Sequence, residues 1–416
     1  MFHPGSEKFL CCFFRYRDIR FRREFYRMIS ILSMVLMLDR FLKFQRNTSC
    51  NSNPDHTIIL LCQGPDIRMS EELYTSQPDN DPGNPRAHSG LIDPFGRTID
   101  YLRISVTDRC DLRCVYCMSE DMQFVPRSQL LTLEEIVRIG TAFVELGVRK
   151  IRITGGEPLT RKNVLTVFRQ LGRLDGLQDL TLTTNATQLA QYAKDLKDSG
   201  VTRINISLDS LRPERFRQMT RTGDLGKVLE GVQSALKAGF SKVKLNSVIL
   251  KHRNDDEVHA LVQYALDHGM DISFIEEMPL GVIEEHDRGY SYCSSDRILS
   301  ELLKRFDLVP SRKTTGGPSV YYDIPGSETK VGFISPHSHN FCSSCNRVRL
   351  TAVGRLLLCL GQEHSMDLRR IVRSNPVNDE PLREAIIRSM AIKPEGHNFD
   401  LTAQPIILRH MNVTGG

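Results

Sequence analysis

One unit recurs between Ile99 and Met278: a glycine closing a helix-periodic stretch, followed after about three residues by a short β-branched and aliphatic run. Gly147 precedes 149–154 (RKIRIT), Gly176 precedes 179–184 (DLTLTT) and Gly200 precedes 202–208 (TRINISL). Gly239 then precedes 242–250 (KVKLNSVIL), and Gly269 precedes 271–278 (DISFIEEM). Glycine just past a helix supplies the left-handed cap, and apolar runs of this length read as buried strands. With 101–107 (YLRISVT) the chain has six of them. Between strands the apolar residues fall at helical spacing: Leu133, Ile136, Val137, Gly140, Phe143, Val144 and Leu146 form one face, introduced by Thr132 and Glu135 as a capping box. Repeats of 24 to 39 residues predict an α/β fold with a parallel sheet, curled into a barrel or open and doubly wound. Either form binds ligands at the carboxyl ends of its strands. Those ends are polar here, as in Thr154-Gly155-Gly156-Glu157 and Thr183-Thr184-Asn185.

Cysteine placement narrows the chemistry. Six of the 11 cysteines fall in two tight groups, which argues for metal ligation in a reducing compartment over scattered disulfides. Cys110-x-x-x-Cys114-x-x-Cys117 occupies the loop leaving the first strand. Three thiolates on one loop leave one position of a tetrahedral or cubic site open, and the loop has no nearby His for a zinc knuckle. The second group is Cys342-x-x-Cys345, with Cys359 after thirteen residues. The intervening sequence reads as two strands turning at Ala352 to Gly354, which could return Cys359 to the pair. A Cys3His zinc site using His337 or His339 is the alternative. Arg347 and Arg349, directly after the pair, suit an anionic substrate better than a structural zinc.

The first loop, with Tyr116 before its last cysteine, and Gly155-Gly156-Glu157-Pro158 at the end of the second strand resemble the radical S-adenosylmethionine (SAM) enzymes. With CxxCNRVR, the distal Cys359, and the EEMPLG, SPHSHNFC, KPEGHNF and terminal Gly-Gly segments, residues from Leu91 to Gly416 resemble the GTP 3',8-cyclases of molybdenum cofactor biosynthesis. Ser119 and Asp111 depart from the commoner Pro and Asn of such relatives, and neither is a ligand.

That resemblance implies a partial (β/α)6 TIM-like barrel over 91–285 and a C-terminal extension, 286–416, carrying a second iron-sulfur cluster. It implies two [4Fe-4S] clusters, held by Cys110, Cys114 and Cys117 and by Cys342, Cys345 and Cys359. SAM would be contacted by Tyr116, Gly156, Ser207 and Met278. GTP would be contacted by Arg103, Arg152, Thr183, Lys244, Arg347 and Arg349. The implied reaction is cyclisation of GTP to (8S)-3',8-cyclo-7,8-dihydroguanosine 5'-triphosphate. Catalytic side chains stay unassigned there, the chemistry being carried by the SAM-derived 5'-deoxyadenosyl radical, which takes the C3' hydrogen. The implied partners are an external electron donor, the next pathway enzyme, cyclic pyranopterin monophosphate synthase, and a second copy in a homodimer. Gly415 and Gly416 would reach the active site, although a glycine-ended tail on general grounds is a frayed terminus. A peptide-modifying radical SAM maturase and a zinc-stabilised binding protein are the competing readings.

Residues 1–68 hold 11 basic and 6 acidic residues, the whole +5 excess of the chain, so the body is formally neutral and a nucleic-acid role is not expected. The run Met28–Leu38 is eleven uncharged, mostly apolar residues, too short to span a membrane. Glu7, Asp18, Glu24 and Asp39 interrupt the Arg-rich character of a mitochondrial presequence. The expectation is therefore a poorly ordered extension over 1–68, or one outside the mature protein with the start at Met69, then a disordered leader over 69–90 and a cytoplasmic location, the mitochondrial matrix applying only if the extension is a presequence. Cys293 reads as a packing cysteine.

Overall fold

Period-two alternation sorts each strand into an apolar outer face and a polar inner one. In the computed structural model, which describes residues 90–401 and 407–415, six parallel strands lie side by side in chain order. They are β1 (Tyr101–Ser105), β2 (Lys150–Thr154), β3 (Asp179–Thr184), β4 (Arg203–Ser207), β5 (Lys242–Val248) and β6 (Asp271–Ile275). Leu102, Ile104, Ile151, Ile153, Leu182, Ile204, Leu245 and Phe274 are fully buried in the core shared with the surrounding helices. Burying such a side chain contributes roughly 1.5–3 kcal/mol, so the alternation fixes which face turns inward. The expectations for residues 1–89 lie outside the described residues.

The capping box forms as the sequence indicates: the Glu135 amide donates to Thr132 Oγ1 at 3.1 Å, and the Thr132 amide to Glu135 Oε2 at 2.8 Å. It starts the helix Leu133–Glu145, which buries Ile136, Ile139 and Phe143. Gly147, Gly176, Gly200, Gly239 and Gly269 all take positive φ, between 65° and 98°. That is the conformation a helix-ending glycine supplies without steric cost.

The remaining strands are β7 (Val309–Pro310), β8 (Val320–Asp323), β9 (Lys330–Ile334), β10 (Arg347–Leu350), β11 (Arg355–Leu357) and β12 (Ser365–Asp367). They extend the same sheet: β10 pairs parallel with β1, and β9 parallel with β6. The full order is β12-β11-β10-β1-β2-β3-β4-β5-β6-β9-β8-β7, so the barrel is partial. The expected hairpin exists as β10 and β11, paired antiparallel. Strands β7 to β9 and β12 go beyond the sequence reading. They are short, and β9 carries Gly332, where a Cβ would sit 2.3 Å from Ser319 Oγ and 2.5 Å from Ser273 Oγ. Among the described residues no helix is long and apolar enough to cross a membrane.

Candidate functional site

Two rows of inward-facing side chains cross β10, β1 and β2. In the first, Tyr101 stands opposite Arg347 on one side and Lys150 on the other; in the second, Arg103 stands between Arg349 and Arg152. All six line a single cavity enclosed by the curled sheet, together with Thr183 of β3 and Lys244 of β5. Arg347 and Arg349 are buried. Burial, then the Arg347 guanidinium, brings Arg349 down to about 10, and burial with Arg349 holds Arg103 well below the usual guanidinium range. Tyr101 goes to about 8: burial opposes its ionisation, but Arg152, Arg103, Lys150 and Arg347 outweigh it.

Hydrogen bonding in this cavity leaves charge to spare. Arg152 Nη1 reaches Thr183 Oγ1 at 3.4 Å, while its Nε is buried without a partner among the described residues. Lys244 Nζ donates to Ser273 Oγ at 3.1 Å and Tyr321 Oη at 3.2 Å, both neutral partners. Lys150, absent from the sequence-derived set, places Nζ 3.3 Å from Asp179 and 5.0 Å from the Tyr101 ring centroid. Its signal was available, since Lys150 shares the strand parity of Arg152. Like charges packed together in a low-dielectric cleft call for an anion carrying several charges.

At one end of the cavity lies the first cysteine loop. Cys110, Cys114 and Cys117 line it and are free thiols, half-buried. Burial pushes all three up, Cys117 to about 12 against a hydrogen bond from the Asn412 backbone. Tyr116 donates its hydroxyl to Asp209 Oδ2 at 2.7 Å, which anchors the loop to the end of β4. Gly156 is required by a close crossing of chains: a Cβ there would stand 2.4 Å from the Arg109 carbonyl oxygen. The crossing is fastened by Gly156 N to Thr107 O and Glu157 N to Arg109 O, each 2.7 Å. Glu157 is fully buried and accepts from Leu159 N, Thr184 Oγ1 and Asn185 N; burial nonetheless pushes its carboxyl up to about 8. Ser207, at the end of β4, and Met278, beyond β6, line the same space.

The second triad closes the opposite side. Cys342, Cys345 and Cys359 line the cavity, Cys359 being brought back by the β10–β11 hairpin. Burial opposes ionisation of Cys345, yet the Arg347 guanidinium and the Lys393 ammonium lower it to about 7. His337 and His339 face elsewhere, His337 Nε2 to the Glu277 carbonyl at 2.9 Å and His339 Nε2 to Asp296 Oδ1 at 2.7 Å. Among the described residues no group of three His, Cys, Asp or Glu side chains gathers as a single ion requires. A four-iron cluster, which gives each thiolate its own iron, does not require that. Cys293 is buried in the core and does not line the cavity that the two triads share.

The C-terminal segment sits over this cavity. Arg349 Nη1 donates to the Gly415 carbonyl at 3.1 Å, and Asn412 Nδ2 to the Asp108 carbonyl at 2.8 Å. The short helix Met411–Thr414 is thus held by both ends of the site, and Gly415 is no frayed terminus. Gly416 lies outside the described residues.

Comparison with known proteins agrees with this geometry. Residues 104–265 match the model of the radical SAM superfamily, and residues 270–399 that of Molybdenum Cofactor Synthesis C. The chain is 56% identical over 329 residues to a GTP 3',8-cyclase of Saccharophagus degradans, covering 79% of this chain and 99% of that one. It is 56% identical over 326 residues to a GTP 3',8-cyclase of Marinobacter nauticus, covering 78% and 98%. Among solved structures, Streptococcus suis SuiB bound to S-adenosylmethionine shares the fold, with a TM-score of 0.51 at 15% identity over 76% of this chain and 77% of that one. Sequence, sheet and cavity converge: the chain belongs to the GTP 3',8-cyclase family of the radical SAM superfamily.

Proposed function

We propose that the cavity between the two thiolate triads is where this chain carries out the reaction of its family, cyclisation of GTP to (8S)-3',8-cyclo-7,8-dihydroguanosine 5'-triphosphate, the first step of molybdenum cofactor biosynthesis. One observation carries the reading: two rows of inward-facing side chains holding five cations, of which Arg347 and Arg349 are buried, line a single cavity together with two three-thiolate sets.

The residues fit the groups they would hold. Three soft thiolates per site match a [4Fe-4S] cluster with one iron left open. At the first triad, Cys110, Cys114 and Cys117 would hold the cluster, and Tyr116, Gly156, Ser207 and Met278 would contact SAM. At the second triad, Cys342, Cys345 and Cys359 would hold a second cluster facing the guanine. When bound and reduced by an external donor, the first cluster and SAM supply the radical that removes hydrogen from the ribose.

The chain's own task is placement. Arg103, Arg152, Lys244, Arg347 and Arg349, with Thr183, would clamp the nucleotide, and guanidiniums can do so through paired hydrogen bonds to phosphate. Lys150 joins this set on its position. Such a clamp fixes the ribose against SAM, and the segment ending in Gly415 helps to exclude water.

The test is anaerobic reconstitution followed by incubation with SAM, a reductant and GTP. Formation of 5'-deoxyadenosine and cyclised GTP is expected; the absence of both products would overturn the assignment. Metal analysis addresses the zinc alternative, because two clusters require about eight irons per chain.

A further inference from the structure

We propose that Lys393 is a positioning residue of the second cluster, its buried ammonium holding the strand that carries Cys359 to the Cys345 end of the CxxC pair and raising the cluster's reduction potential. This rests on the second-cluster reading given above.

Lys393 is 3% exposed. Its Nζ donates to the Leu358 carbonyl at 2.7 Å and the Arg347 carbonyl at 3.2 Å, and it lies 3.7 Å from Cys345 Sγ. Leu358 immediately precedes Cys359, and Arg347 opens β10 two residues after Cys345. One ammonium therefore ties the return strand to the CxxC end. Cys342 is tied in separately: Arg97 Nη1 donates to the carbonyls of Cys342 at 2.8 Å and Glu395 at 2.6 Å, and Arg97 Nη2 to that of Pro394 at 2.7 Å. Residues 393–395 are thus bonded to the surroundings of all three cysteines.

The two cations differ in how their charge is met. Arg97 is paired with buried Asp93 at 2.6 Å. Lys393 has two neutral carbonyls and a sulfur, and no carboxylate within ion-pair reach among the described residues. A buried charge without an opposite one is costly. The nearest group able to carry that opposite charge is the Cys345 thiolate. Cluster potentials respond to net charge and to hydrogen bonds on the sulfurs, and a cation donating to a ligand sulfur favours the more negative, reduced state. Around the first triad burial, and with it the carboxylates Asp111 and Asp209, opposes ionisation of the thiols, and Arg113 donates to the Cys110 carbonyl, not to a sulfur, at 2.7 Å. The charged surroundings of the two triads thus differ, and Lys393 is one source of the difference.

The test uses the full-length chain with Cys110, Cys114 and Cys117 replaced by Ala, reconstituted so that only the second triad can hold iron, and titrated potentiometrically by electron paramagnetic resonance. Adding Lys393→Gln should shift the one-electron equilibrium toward the oxidised cluster at least tenfold, about 59 mV, while Lys393→Arg should restore most of the shift. An unchanged potential in Lys393→Gln overturns the proposal. Absence of iron with Lys393 intact would instead overturn the second-cluster reading itself. A readout that needs no substitution at position 393 covers a failure of the variants to fold. In wild-type protein carrying 15N-lysine, electron-nuclear double resonance should detect a lysine nitrogen coupled to the reduced second cluster, and no coupling would overturn the role of Lys393.

Discussion

Arg103 of β1 lies directly across from Arg349 of the neighbouring parallel strand β10, two guanidiniums side by side on the inner face of the barrel. Arg152 flanks Arg103 from the other side. A row of this kind is repulsive until an anion enters it. Arg152→Met should therefore weaken GTP binding about tenfold or more, in line with roughly 1.5–3 kcal/mol for a hydrogen bond to a charged group. It should not lower the melting temperature of the protein measured without nucleotide. Calorimetric titration with GTP, alongside thermal melts with and without it, reads both. Unchanged affinity would show that the row does not bind the triphosphate.

The same cluster gives GTP binding a pH dependence through Tyr101, held at about 8 by the cations Arg152, Arg103, Lys150 and Arg347 despite its burial. Above about 8 the phenolate places a negative charge where phosphate must lie. Bound triphosphate draws those cations to itself and moves the tyrosine back up. Affinity should be full below about 8 and fall as pH rises through it, because the complex holds a proton that free protein has lost. Tyr101→Phe should remove this fall. A GTP titration series across that range, for both proteins, checks it.

How much of this could be read from sequence depends on how local each relationship is. Cys110, Cys114 and Cys117 share one loop, and Gly155-Gly156-Glu157 ends a run of alternating residues, so spacing alone announces them. The Gly147, Gly176 and Gly200 caps are equally local, each needing only its own positive φ. Lys150 was recoverable in principle from parity with Arg152, but choosing between an inward lysine and a strand-end ion pair needs the register with Tyr101. Lys393 and Arg97 were beyond reach. Their roles arise from contacts spanning 35 to 298 residues, which no periodicity encodes. Gly156 was singled out as a SAM contact, and the structure adds a requirement that spacing does not announce: its missing Cβ faces the Arg109 backbone.

Gly415 tests whether the C-terminal segment is part of the working site. It has φ +75°, and a Cβ would stand 2.2 Å from Thr154 Oγ1 and 3.1 Å from Ser105 Cβ. Gly415→Ala combines left-handed strain with a clash against the end of β2, so the segment should shift and release the bond from Arg349. Turnover should fall at least tenfold with iron content unchanged, since no cysteine is disturbed. Parallel iron analysis and product assay separate the two, and full activity would show that the segment only covers the site.

Cys345→Ala separates the triads chemically. Cys345 is beside Arg347 and Lys393, whose charges outweigh burial and lower its thiol to about 7, whereas the thiols of the first loop are raised. Removing one of three ligands should empty the second site, taking iron from about eight to about four per chain. The first triad shares no ligand with it, so reductive cleavage of SAM to 5'-deoxyadenosine should persist in the absence of GTP. Cyclised GTP should disappear, because the substrate loses the group proposed to face its guanine while the cation rows remain. Product analysis by liquid chromatography with iron quantitation distinguishes the cases. Continued cyclisation at the wild-type rate would make the second triad a structural feature and leave Arg347 and Arg349 as its only link to the nucleotide.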